Sequence, residues 1–282
     1  MQISVTHATT YRYEFPVCFE PHLFRLRPRM SSAQRLLSFE IQIAPTPAGS
    51  TERLDQDGNL ALNAWFAAPS INLSVMSRFT VELLRVNPFD YVLTGESLSL
   101  PLAYRQPLRT ALTPYRNDAH VAESVKRFAQ LAALGAQGNI PWFLTALSRQ
   151  IWQIFRQVIR PDGAPWSSDR TLDSGEGSCR DLAVLFYDVC PRMDIAARFV
   201  SGYETAAADC QESHMHAWAE VYLPVIACRW YDPSRGMAVA NGHVAVASGF
   251  DYDLASPVAG LYSGGSASQM DTSICLRVDD AG

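Results

Sequence analysis

The hydrophobic period of this chain changes partway along, and that change limits the folds open to it. In residues 2–13, Ile3, Val5 and His7 fall on alternate positions, the pattern of a strand with one buried face. Short runs over 23–26, 36–43, 60–66 and 73–84 continue in β-branched and aromatic residues. Asp55-Gln56-Asp57-Gly58-Asn59 signals a hairpin, because Gly and Asn accept the positive φ of tight strand reversals. Residues 1–90 therefore predict an antiparallel β-sandwich-like domain. Four prolines between Asn87 and Asn117 interrupt the pattern, and residues 91–119 read as a connecting segment.

From residue 120 the period becomes helical. Val125, Phe128, Leu131 and Ala132 share one face of a helix over 121–134, and Leu144, Leu147, Ile151, Ile154, Phe155 and Val158 do so over 142–159, before Pro161-Asp162-Gly163. A loop of small residues then leads into an apolar helix over 179–190, followed by strands over 197–203, 216–223, 229–231, 243–247 and 273–278. Residues 120–282 thus predict a second unit, one central helix packed on an antiparallel sheet, and the chain as a whole is α+β.

Composition narrows the function. With 48% apolar and 18% charged residues, the 282-residue chain is neither disordered nor fibrous. Its net charge of -5 includes 22 arginines but only Lys126 among lysines, with no basic run to track a phosphate backbone, so no nucleic-acid partner is expected. No window approaches the ~18–20 apolar residues of a membrane span, and the first residues lack a charged leader ahead of an apolar core. No membrane and a cytoplasmic location are the expectations. Cys18, Cys179, Cys190, Cys210, Cys228 and Cys275 are far apart, without a zinc-type pair, and the six histidines form no helical metal motif. Neither a metal nor a cofactor is expected.

One cysteine stands apart. In Gly175-Glu176-Gly177-Ser178-Cys179-Arg180-Asp181 the thiol begins a helix, where unpaired N–H groups favour thiolate and can hold an oxyanion. The plainer use is a buried structural cysteine, which suits Cys190. In Ser213-His214-Met215-His216-Ala217-Trp218, alternation puts His214 and His216 on one face, and either could meet the helix start as a base for the thiol. Asp232, one hairpin onward in Trp230-Tyr231-Asp232-Pro233-Ser234, can fix the imidazole tautomer; its plainer use is a turn before proline.

Four motifs in order, GSCRDLAVLFYDVC, RFVSGY, HAWAEVYLP and YDPSRG, resemble the bacterial transglutaminase-like superfamily, whose core is a papain-like cysteine-enzyme fold. HATTYRYEFPV, PHLFRLRPR and DQDGN resemble the β-rich N-terminal region of its bacterial members, so the resemblance spans nearly the whole chain. It implies Cys179 as nucleophile, His216 rather than His214 as base, and Asp232 as the orienting acid. It also implies thiol-dependent acyl chemistry on a peptide or protein amide through an acyl-enzyme. Hydrolysis, as by a peptidase or amidase, is the first expectation. Amine transfer and a binding module without turnover are the alternatives. Two departures stand out. Pro224-Val225-Ile226-Ala227-Cys228 lacks the family's turn glycines and tryptophan, and Gly249-Phe250-Asp251-Tyr252 lacks its arginine. Trp166, Trp218, His214, Asp251 and Tyr252, with His243, are further candidates to line a substrate cleft.

Overall fold

The computed structural model describes residues 1–92, 99–160, 163–205 and 214–279, and it has the α+β architecture that the two periods predict. The first strand, Gln2–Phe19, pairs antiparallel with Ser70–Leu83, which pairs with Gln34–Ala44. His22–Phe24, Leu60–Trp65 and Gly49–Leu54 belong to a second sheet. Tyr13, Val17, Phe19, Leu73 and Val75 of the first meet Phe24 and Ala64 of the second in one apolar cluster, which makes this a sandwich. The Asp55 carboxylate shapes the turn between Leu54 and Leu60 by accepting the N–H groups of Asp57 and Asn59 at 3.0 and 2.9 Å.

The second sheet system has five antiparallel strands in the order Met237–Val239, Ala227–Asp232, His216–Leu223, Ala196–Glu204 and His243–Gly249. The helix Cys179–Val189 covers one face, burying Leu182, Ala183, Leu185, Phe186 and Val189 against Ala217, Ala219, Val221 and Leu223. Each buried side chain of Leu or Phe size contributes ~1.5–3 kcal/mol, enough for this helix to be fixed by packing rather than propensity. The opposite face carries Trp218 and Trp230, which meet Ala33 of the N-terminal half.

Three boundaries differ from the sequence reading. The helix expected over 142–159 spans Ile140–Ile154, because Arg156–Gln157 pairs with Glu176–Gly177 and pulls the chain out of helical geometry; Pro161 and Asp162 lie outside the described residues. The segment over 91–119 is more than a connection: Leu102 and Tyr104 are buried in the helical core, and the Tyr104 hydroxyl donates to the Tyr222 carbonyl at 2.6 Å. Finally, the strand expected over 273–278 as part of the second unit runs over Ser268–Asp279 and pairs with the first strand, Gln2 opposite Asp279. Alternation reveals a strand's buried face but not its neighbour, and here the neighbour is an edge that would otherwise lie open.

A buried polar seam joins the two halves. Glu220 accepts Arg198 Nε and Trp230 Nε1, both at 2.6 Å, and lies 3.5 Å from Arg29 NH1. Arg198 also reaches Asp57 at 3.3 Å, and Asp57 accepts the Tyr115 hydroxyl at 2.8 Å. Burial works against the Glu220 charge, yet Arg198 and Arg29 outweigh it and hold its pKa at about 2. Beside this seam, the carboxamides of Gln34 and Asn59 bond both ways to the backbone of Ala245 and Ser248. They act as a surrogate strand on the outer edge of His243–Gly249.

Two stability measurements follow from this arrangement. Val225 and Ala227 hold φ of 70° and 62° in the turn where glycines are missing, a conformation costing an L-residue ~1–2 kcal/mol. Val225→Gly and Ala227→Gly are each expected to raise the melting temperature, by roughly 2–4 °C per kcal/mol gained. Glu220→Gln, which removes the Arg29 counter-charge and leaves Arg198 only Asp57, is expected to lower unfolding free energy in denaturant titration by about 3–5 kcal/mol.

Candidate active site

Asp232 ends its strand with no exposed surface, so its carboxylate needs donors from the protein. Oδ1 accepts the Ser234 N–H at 2.9 Å and the Ser234 hydroxyl at 2.7 Å. Oδ2 faces two imidazoles, His216 Nε2 at 2.7 Å and His243 Nε2 at 2.8 Å. The backbone is pinned as well. The Ser148 hydroxyl, from helix Ile140–Ile154, donates to the Asp232 carbonyl at 3.0 Å, and the Gln157 side chain donates to the Ser234 carbonyl.

His216 opens the neighbouring strand and takes a hydrogen bond with the Cys179 side chain on its other side. With Nε2 committed to Asp232, the nitrogen left for the thiol is Nδ1. Burial lowers the basicity of this imidazole, but its bonds and charge interactions with Asp232 and Cys179 outweigh that, and its pKa is held up at about 10. Burial acts against the Asp232 charge too. His216 and His243 overcome it and keep the carboxylate well below its usual range.

The start of the Cys179 helix is fixed by Asp181. Its Oδ2 accepts both the N–H and the hydroxyl of Ser178 at 2.7 Å, while Arg160 and the Trp166 N–H bond the carboxylate at 2.6–2.7 Å. Gly175, at φ 65°, closes the preceding short helix in a left-handed conformation, and its carbonyl accepts the Arg156 N–H at 3.0 Å. The glycine loop is thereby held against the end of the previous helix. Serine and an acid three residues apart at a helix start form a pattern readable in the sequence, which the reading above passed over.

Of the other residues singled out, His214 is exposed and precedes the strand, so it shares no strand face with His216. Trp218 is fully buried and cannot line an open cleft. Instead it stacks on His216 with centroids 6.2 Å apart and meets His243 edge-on at 5.0 Å. Asp251 and Tyr252 also fall away from the site. Their charges act on Tyr187 near the far end of the helix that begins with Cys179, roughly 12 Å along at 1.5 Å per residue. Trp166 is half-buried, held between the Arg160 and Arg170 guanidinium groups at 4.4 and 4.2 Å, and joined to the helix start through Asp181. Burial pushes the Cys190 thiol up and the Cys228 thiol up to about 12; Cys210 lies outside the described residues.

The sequence reading offered His243 only as a lining residue of a cleft, whereas it bonds Asp232, and it passed over Glu204. Glu204 is gripped at both oxygens by Arg235 at 2.7 Å, and its Oε2 lies 3.9 Å from His216 Nε2. Ligand-type atoms of Glu204, His216, Asp232 and His243 all fall within 4.8 Å of one another. Each comes from a different strand, so no local spacing announces them. Two imidazoles and two carboxylates suit Zn2+ chemically. The separations of 2.7 and 2.8 Å at Asp232, however, are those of direct hydrogen bonds; ligands on a tetrahedral zinc stand roughly 3.4 Å apart.

Residues 3–82 match the bacterial transglutaminase-like N-terminal region, and residues 149–233 match the transglutaminase-like superfamily core. An uncharacterized protein of Mycobacterium leprae is 26% identical over 281 residues, covering 96% of each chain. One of Mycobacterium tuberculosis is 26% identical over 286 residues, covering 96% of this chain and 90% of its own. Among solved structures, a Cytophaga hutchinsonii protein named "Putative Cysteine Protease" shares the fold with a TM-score of 0.74 at 18% identity, over 100% of this chain and 92% of its own. With both matched regions in the order of the sequence motifs, the chain belongs to the transglutaminase-like superfamily and carries the bacterial N-terminal region ahead of the core.

Proposed function

We propose that the protein is a cysteine peptidase or amidase that cleaves amide bonds of a peptide or protein through an acyl-enzyme. The observation that supports this reading is the single imidazole of His216, bonded to Cys179 on one side and to a buried carboxylate on the other. Cys179 gives its proton to His216 Nδ1, and the sulfur attacks the amide carbonyl carbon. N–H groups of the helix start hold the developing oxyanion. The C–N bond breaks as His216 returns the proton to the departing amine, leaving a thioester. Water then gives a proton to His216, its oxygen displaces the sulfur, and the thiol recovers the proton. Water at ~55 M is the default acceptor unless a site excludes it. The five cysteines among the described residues are free, which suits the cytoplasmic setting we assign.

Iodoacetamide at pH ~6 is expected to label Cys179 ahead of the other cysteines; uniform labelling would count against an activated thiol and favour a binding module. A glutamine-containing peptide offered with and without a primary amine should release ammonia without incorporating the amine. Incorporation would make the protein an amine-transferring transglutaminase, and Cys179→Ala should abolish either signal.

The pH dependence has a definite sign. His216 must carry a proton to release the amine, and its pKa is held near about 10. The rate is therefore expected to persist through neutral pH and to fall as pH rises through that value. Asp232→Asn should bring this limb down toward ~6.5 and lower kcat by about two to four orders of magnitude. A limb that stays in place would detach Asp232 from His216. The same proton stabilises the fold fully below ~6.5 and ceases to do so as pH rises through the folded value.

A further inference from the structure

His243 sits on the strand next to Glu204, in register with it, and lies beyond the residues matched to the superfamily core. Its burial is close to complete. The hydrogen bond it makes goes from Nε2 to Asp232 Oδ2, while its Nδ1 has no partner among the described residues. An apolar side chain would fill this core position without leaving a buried nitrogen unsatisfied, so packing alone does not account for a histidine here. Closeness is also built into the backbone. A side chain at Gly202 would stand 2.0 Å from the Val244 carbonyl oxygen and 2.7 Å from Trp218, and the bare glycine lets the His243 strand and the Trp218 ring close on one another.

We propose that His243 is a positioning residue that shares Asp232 Oδ2 with His216 and so limits how tightly the carboxylate holds the His216 proton. The proposal rests on the reading of His216 as the catalytic base. A carboxylate has about four acceptor sites, and Ser234 occupies Oδ1 with two donors. Oδ2 divides its negative charge between the two imidazoles, each drawing on what the other receives. Remove His243, and that charge falls wholly on His216, whose imidazolium becomes a weaker acid toward the departing amine. The other groups facing His216 are Cys179, Trp218 and Glu204, the last already paired with Arg235; none of them bonds Oδ2 among the described residues.

The test reads the imidazole directly, without turnover. In a Cys179→Ala background, where His216 titrates without the thiol, 15N-histidine NMR follows His216 with His243 intact, as His243→Phe and as His243→Gln. His243→Phe is expected to raise the His216 pKa by about one unit. His243→Gln, which returns an N–H donor to Oδ2, should restore it to within a few tenths. A His216 pKa that is unchanged or lower in His243→Phe overturns the proposal, and so does a glutamine variant that behaves like phenylalanine. Should the phenylalanine variant not fold, the tautomer in the unsubstituted chain decides. A proton on Nε2 with Nδ1 bare is expected, and the opposite tautomer refutes the bond. These readings stand apart from thiol labelling, so an unreactive Cys179 would sink the catalytic reading and leave the His216 titration interpretable.

Discussion

A carboxylate shut away from water must find donors inside the protein, and the requirement to satisfy Asp232 organises the centre of this molecule. Two donors come from Ser234 in the turn that follows, and two from imidazoles on the His216 and His243 strands. The backbone is tied to helix Ile140–Ile154 through Ser148. Strand order places the Asp232 strand beside that of His216, and His243 two strands farther on. A slip of one residue in any of these strands would turn its side chain to the other face and leave the charge unpaired. Register, helix placement and the orientation of His216 are thus different expressions of one electrostatic demand.

Much of this was legible in the sequence because it is encoded locally. The Cys179 helix shows its apolar stripe, the His216 strand its alternation, and the Asp55 turn its own hydrogen-bonding residues. Contacts between distant segments were not legible. Trp218 reads as an aromatic on a site-facing strand, yet it is covered by the N-terminal half and supports the imidazoles from beneath. Asp251 and Tyr252 follow a strand that leads toward the far end of the Cys179 helix, and only topology shows that direction. The early end of helix Ile140–Ile154 has the same origin, since a two-residue pairing with the glycine loop overrides a continuing apolar period.

The N-terminal half bears on the site through the sheet that carries it. The Asp57–Arg198–Glu220–Arg29 seam crosses between the halves, and Glu220 lies on the His216 strand. Gln34 and Asn59 meanwhile hold the outer edge of the His243 strand. Both strands that present imidazoles to Asp232 are therefore braced from the sandwich side, in a manner an apolar contact would not impose, because each bond fixes direction as well as distance.

The strand Ser268–Asp279 lies along the first strand, Gln2 opposite Asp279. On a ribosome, one edge of the N-terminal sheet stays open until that segment has emerged, by which time every residue of the Cys179, His216 and Asp232 cluster has been made. Pairings of such long sequence separation form late, because loop closure precedes their reward. The sandwich that braces the site is thus sealed only after every residue of the site is already in the chain.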